Sequence, residues 1–173
     1  MTVLDWARRY LRLGLSVIPV RADGSKAPAL AKGEVEQYRE RFPTDAELQE
    51  WFAPHRAVGV AVVCGKQSGN LAVLDIESEP WWRAWLARVS DTPFAALLAT
   101  APIVCTPKGG RHVYCRIAEG WVAGGVLARL TKEKLKAEVR GHGSYVLAPG
   151  CPIACHELNK PYTFESWGWL ADD

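Results

Sequence analysis

The chain reads as an α+β protein on three observations. Short strands, alternating or wholly apolar, recur along its length; turns bearing glycine separate them; and the few helices begin at identifiable caps. The first helix is predicted over Thr2–Leu13, where Leu4, Ala7, Tyr10 and Leu11 form a stripe at helical spacing. Thr2 and Asp5 make its cap, although Glu or Gln is more usual at the second position. Gly14 ends the helix and Leu15–Val20 follows as a short strand. Arg21–Ala31 is a loop whose Lys26 reads as solvated, with phosphate contact as the second reading. Gly33–Arg41 is charged and helical, and Pro43–Phe52 is a helix capped by Thr44 with Glu47 three residues on.

Val58–Cys64 is a buried strand, and the turn Gly65–Asn70 leads directly into Leu71–Ser78, which predicts an antiparallel hairpin. Trp81–Val89 is a helix with Trp81, Trp82 and Trp85 crowded on one side for packing. Ile103–Thr106, the turn Pro107–Gly110 and Arg111–Ile117 form a second hairpin, with His112 and Tyr114 on one face and Arg111 and Val113 on the other. Trp121–Gly125 is a loop and Val126–Leu135 a short helix or ordered loop. A third hairpin joins Ala137–Arg140, on which Glu138 and Arg140 share a face, to Ser144–Ala148 through a glycine turn that leaves His142 in solvent. Pro149–Pro161 is a loop, and Tyr162–Phe164 is an edge strand.

Composition narrows the class. A length of 173 residues suits one domain spanning 1–173, and 49% hydrophobic with 23% charged residues describes an ordinary globule. Five scattered cysteines argue against a disulfide framework and for a reducing cytoplasm. Arg8, Arg9 and Arg12 interrupt any signal-peptide core, and the longest apolar runs have strand length, so no membrane is expected. A net charge of +2 does not by itself mark nucleic acid, but carboxylates gathered in a cleft would leave the remaining surface more basic. Eight tryptophans could serve core, interface or base stacking.

The chemistry centres on Leu71–Ser78. Leu71, Val73, Asp75 and Glu77 share a face, so a strand that begins apolar ends in two converging carboxylates. A divalent cation between them would relieve their repulsion; two solvated acids at a strand end is the plainer account. With Glu138 there are three acids around one or two cations, an apparatus for phosphoryl chemistry. His112 and Arg140 would contact phosphates, and Gly109 and Gly110 would let backbone approach one closely. Lys66 is a further phosphate candidate, although a solvated turn tip accounts for it too.

The order VGVAVVCGKQSGNLAVLDIE, TPKGGRHVY, EVRGHGSYVLAP resembles the bifunctional primase/polymerase (prim-pol) domain of the archaeo-eukaryotic primase superfamily. The upstream GLSVIPV and GSKAP stretches are similar to it too, so the likeness covers nearly the whole chain. It implies an α/β unit packed on an RRM-like antiparallel sheet with the active site between them. It implies Asp75, Glu77 and Glu138 as catalytic ligands of Mg²⁺ or Mn²⁺, and His112 on the phosphates of an incoming nucleotide, within the small-x-His motif of Gly110, Arg111 and His112. Arg140 would also face the cleft. Ser is frequent where Gly110 stands, and Asp where Glu138 stands. The implied activity is template-directed DNA primase/polymerase chemistry: nucleotidyl transfer from a (d)NTP to a 3′-hydroxyl, with release of pyrophosphate. Its partners would be single-stranded template, primer–template duplex and (d)NTPs. Relatives commonly continue into a helical domain and a helicase, so the chain is expected to be a catalytic domain excised from a longer replication protein.

Two other classes compete. A catalytically silent DNA- or nucleotide-binding module of a replication initiator has no need of three acids that repel phosphate. A rolling-circle nuclease wants a His-hydrophobe-His pair, and the second position here is Tyr114. Cys151, Cys155 and His156 invite a structural Zn²⁺, but a closed site takes four ligands and only three lie close.

Overall fold

The computed structural model describes residues 1–130 and 135–171. Helix α1 (Val3–Arg12) starts at Thr2, whose hydroxyl accepts from the Asp5 N–H while the Asp5 carboxylate accepts from the Thr2 N–H, so Asp serves in the place where Glu is usual. Helix α2 (Asp45–Trp51) has the same reciprocal cap through Thr44 and Glu47. Ser78 caps α3 (Glu79–Val89), and α4 (Phe94–Thr100) is a helix that the sequence reading passed over.

The strands form two antiparallel sheets. The smaller runs β1 (Val17–Arg21), β2 (Val58–Val63), β8 (Tyr145–Leu147) in that order. The larger has the order β6 (Gly125–Leu130), β7 (Leu135–Arg140), β3 (Leu71–Ile76), β5 (Arg111–Arg116), β4 (Ile103–Cys105), β9 (Thr163–Ser166). The helices and the two antiparallel sheets together make the α+β architecture that the sequence predicts. Every residue of β2 is buried, which explains its unbroken apolar run: α1 packs on it and the core shared by the two sheets covers it. That core includes Tyr10 and Tyr114, and the Tyr10 hydroxyl donates to Pro149 O at 2.7 Å. A second cluster, Ile76, Trp82, Ala101, Ile103 and Val113, lies on the other face of the larger sheet under α3 and α4.

Two predicted hairpins are corrected. β2 and β3 belong to different sheets and meet only at an isolated bridge, Gly65 to Leu71. The segment between them contains a 3₁₀ turn (Lys66–Ser68) and three positive φ angles, at Gly65, Gly69 and Asn70. Ser68 pins this crossing, donating to Val63 O at 2.5 Å and accepting from the Ser16 N–H at 2.9 Å. β7 and β8 likewise lie in different sheets, so the glycine turn after Arg140 is a second crossing. The hairpin of β4 and β5 forms as predicted, with Val104 opposite His112. The helix or loop expected at Val126–Leu135 is also corrected: β6 pairs with β7, and residues 131–134 lie outside the described ones. An edge strand with one open side carries a weak alternation, and its partner decides its conformation. Among the described residues no helix is long and apolar enough to cross a membrane.

Candidate active-site cleft

β3 is central in the larger sheet, and its register sets the site. Asp75 lies opposite His112 of β5 on one side and Glu138 of β7 on the other. Directly paired residues project to the same face, so the three form a row across the sheet. All three are buried. His112 Nε2 stands 3.5 Å from Asp75 Oδ1, and Arg140 NH2 stands 3.3 Å from Asp75 Oδ2. Burial pushes the Asp75 carboxyl up, but the facing His112 and Arg140 outweigh it and hold the carboxyl at about 2. Glu77 lies one residue beyond β3. Its N–H donates to Lys136 O at 3.2 Å, and its carboxylate accepts from the Lys136 N–H at 3.0 Å. Glu138 Oε1 pairs with Lys136 Nζ at 2.8 Å and with Arg140 NH2.

Between the sheets opens a cleft of about 300 Å³, lined among others by Lys26, Asp75, Glu77, Lys108, His112 and Arg140. The smaller sheet delivers Lys26 from the loop after β1. That loop is closed by Arg21 N–H donating to Ala27 O at 2.9 Å, and the Tyr145 hydroxyl donates to Lys26 O at 3.0 Å. Burial, then the neighbouring Lys108, lowers the Lys26 pKa. Lys108 reaches the cleft from the turn before β5 and pairs with Glu157 at 3.1 Å. Tyr162 and His156 close one wall; the Tyr162 ring lies 6.0 Å from that of His112 and 6.1 Å from that of His156.

The structure thus brings Asp75, Glu77, His112 and Arg140 to one cleft and sets Glu138 beside them in the row, engaged by two cations. The other nucleotide-contact candidates sit elsewhere. Arg111 points to the opposite face, where it pairs with Glu79 at 3.0 Å and Glu165 at 2.6 Å and donates to Gly109 O at 2.8 Å. Gly110 is packed against its own chain: a Cβ there would stand 2.0 Å from Ile76 O. Its lack of a side chain therefore lets the ends of β3 and β5 close together. Gly109 has a φ of +83°, so the turn itself requires it. Lys66 lies at the first crossing, with Nζ 5.9 Å from the Trp121 ring centre. His142, expected in solvent, is half-buried with its ring 4.6 Å from that of Trp121.

Lys108, His156 and Tyr162 were missed as cleft residues, and Lys26 was given the plainer reading. The lysine inside a Pro-Lys-Gly-Gly turn next to His112 was a usable signal for Lys108. Nothing local marks Tyr162 or His156, which long-range packing brings in. The cysteines carry a packing role here: Cys151 and Cys155 both crowd Gly59, where a Cβ would stand 2.7 and 2.4 Å from their sulfurs. Cys151 Sγ donates to Val60 O at 3.0 Å, and His156 Nδ1 accepts from the Leu158 N–H at 3.1 Å.

Among the described residues no three His, Cys, Asp or Glu side chains are grouped as a ready metal cage. The donor chemistry nevertheless fits a hard divalent cation: two carboxylates reach one cleft, and the buried Asp75 is ionised. Oxygen donors of this kind suit Mg²⁺ or Mn²⁺ rather than Zn²⁺.

An antiparallel two-sheet α+β body, with an acid-x-acid strand end beside histidine and arginine in a cleft that two lysines also line, is the class of protein the structure defines. A family model described as bifunctional DNA primase/polymerase, N-terminal, matches residues 7–170, and the chain belongs to that family. Membership gives it a function of the primase/polymerase type, with DNA and nucleotides as the substrates that the family implies. No curated protein matches the chain.

Proposed function

We propose that the chain is a metal-dependent, template-directed nucleotidyltransferase that joins a (d)NTP to a 3′-hydroxyl and releases pyrophosphate. The observation that carries this reading is the meeting of Asp75 and Glu77 with Lys26, Lys108, His112 and Arg140 in one cleft. Acids alone would repel a triphosphate and cations alone would hold it without catalysis; the combination suits a phosphate bound through a cation. A divalent ion held by Asp75 and Glu77, with Glu138 beside them, would neutralise phosphate charge and polarise the α-phosphate. Lys26 and Lys108, which both line the cleft, attract the triphosphate together, and the lowered pKa of Lys26 reflects a desolvated cation that an anion would favour. His112 lines the cleft and can donate to a phosphate oxygen. Arg140, placed between Asp75 and Glu138, holds both carboxylates in orientation. In the transfer, the 3′-hydroxyl gives up its proton to water, its oxygen forms a bond to the α-phosphorus as the bond to the bridging oxygen breaks, and that oxygen leaves with the pyrophosphate.

One observation favours a silent nucleotide-binding module instead: the Glu138 carboxylate is occupied by Lys136 and Arg140. Extension of a labelled primer on a DNA template, with Mg²⁺ or Mn²⁺ and with chelator, separates the two. The expected result is extension that the chelator abolishes. Binding of nucleotide and template without extension in either metal would establish the silent module.

A further inference from the structure

Trp121 is the one tryptophan among the exposed large apolar side chains of the described residues, at 45% exposure. The other seven are buried or half-buried. An isolated exposed indole on a loose loop would call for no explanation, but this one is held in place. One side of its ring rests on His142 at 4.6 Å and a 40° tilt. The backbone beside it is clamped: the His142 N–H donates to Val122 O at 2.7 Å, and Ala123 bridges to His142. Two glycines make this clamp sterically feasible. A Cβ on Gly141 would stand 2.1 Å from Val122 O, and one on Gly65 would stand 2.3 Å from His142 Nδ1. Both inter-sheet crossings therefore meet at His142, on which the indole rests, while much of the ring stays in solvent.

One cation accompanies it: Lys66 is exposed, with Nζ 5.9 Å from the indole centre. The Arg39 guanidinium lies against the turn that supports the ring, within 3.9 Å of the Cβ position on Gly143. The turn is continuous with the cleft, since Arg140 before it and Ser144 after it both line the cleft wall. A half-open aromatic ring seated on a clamped turn, with a lysine beside it, matches the way single-stranded nucleic acid is held: bases stack on the ring and phosphates pair with nearby cations.

We infer that Trp121, seated on His142 and flanked by Lys66, is a stacking platform for an unpaired base of the single-stranded DNA template next to the cleft. The inference rests on the proposed function, because it takes the strand running through the cleft to be a template. It assigns Trp121 a role in holding DNA and none in holding the triphosphate.

The test measures binding of 5′-labelled oligo-dT to the whole chain by fluorescence anisotropy, with dNTP binding measured separately by calorimetry. Trp121→Ala should weaken oligo-dT binding roughly tenfold, as expected for loss of one stacked base, and Trp121→Phe should recover most of it. Lys66→Ala should reduce the slope of log affinity against log salt by about 0.7, the contribution of one phosphate contact on a single strand. Affinity for dNTP should stay unchanged in all three variants. As an independent readout, ultraviolet cross-linking of a 4-thiothymidine oligonucleotide to the wild-type chain should label the peptide containing Trp121. Undiminished oligo-dT binding by Trp121→Ala, or an equal loss for dNTP, or no binding of oligo-dT by the wild-type chain would overturn the inference. Primer extension by the wild-type chain reads the proposed function separately: extension with an inert Trp121 sinks the platform alone, whereas no extension with a Trp121-dependent strand affinity sinks the polymerase alone.

Discussion

The two faces of β5 carry charge clusters of similar make-up and different character. On the outer face, Arg111 lies between Glu79 and Glu165, and the guanidinium nitrogen that meets Glu79 also donates to the Gly109 and Gly110 carbonyls of the preceding turn. That cluster is closed, each charge being met by a neighbour. On the inner face, His112 meets Asp75 beside an open cleft into which Lys26 and Lys108 also reach. Adjacent residues of one strand thus join a closed ion-pair cluster on one side and line an open cleft on the other, because successive side chains of a strand point to opposite faces. A charged residue beside a motif histidine is therefore not a site residue by adjacency; the face it occupies decides.

The largest effect should come from the inner face. Asp75→Ala should lower the rate of single-nucleotide incorporation by more than roughly a hundredfold, as removal of a principal charge-stabilising group does. Circular dichroism should show the fold intact, and near-normal incorporation would break the contrast between the faces. His112→Ala should weaken dNTP binding about tenfold, through loss of one charge-assisted hydrogen bond worth about 1.5–3 kcal/mol, and leave template affinity nearly unchanged. Parallel titrations with nucleotide and template decide between this and a purely structural histidine.

Arg111→Ala should do the reverse. Removing a largely buried guanidinium leaves Glu79 and Glu165 without their shared partner and should cost about 1–3 kcal/mol, read as a lower midpoint in urea unfolding. Its dNTP affinity at a concentration of urea where the variant stays folded should match wild type. A selective loss of nucleotide binding would place Arg111 in the ligand chemistry after all.

The smallest effect lies away from both faces, at the cap of α2. Hydrogen bonds from Arg41 hold the Glu47 carboxyl well below the usual carboxylate range, against a smaller opposing effect of burial. A depressed pKa in the folded state contributes stability above the unfolded value of about 4.3 and loses it as pH falls toward the folded value. Glu47→Gln should therefore be less stable than wild type at pH 7, by no more than about 1 kcal/mol for so exposed a pair. Urea titrations at pH 7 and pH 3 should show the gap closing in acid.

What was legible in the sequence followed the range of the forces involved. The caps at Thr2 and Thr44 involve residues three apart, and the β4–β5 hairpin needs only a short turn, so local pattern sufficed for each. β2 and β3 looked like a hairpin because a glycine-rich turn joins two apolar strands. Their actual neighbours, β1 and β8 for one and β5 and β7 for the other, are chosen by packing across the whole chain. Asp75, Glu77 and His112 could be read because each sits in a short motif with alternating neighbours. Tyr162 could not be ranked as a cleft residue, since nothing within several positions of it differs from an ordinary strand edge, whereas Lys26 sits in the GSKAP stretch, a signal that supported its second reading as a phosphate contact.

Gly59 and the cysteines above it have a consequence for how such a chain can drift. The sulfurs of Cys151 and Cys155 occupy the space that a side chain at position 59 would fill, so a strand residue and a loop distant from it in sequence share one small volume. A mutation to alanine at 59 is therefore closed to this lineage unless 151 or 155 first shrinks or its loop moves outward. Because His156 follows directly and lines the cleft, an outward shift of that loop would also reshape the wall beside Tyr162. Substitutions at a buried strand position would then be filtered by selection on the cleft. Among related chains, a residue larger than glycine at 59 should travel with smaller side chains at 151 and 155.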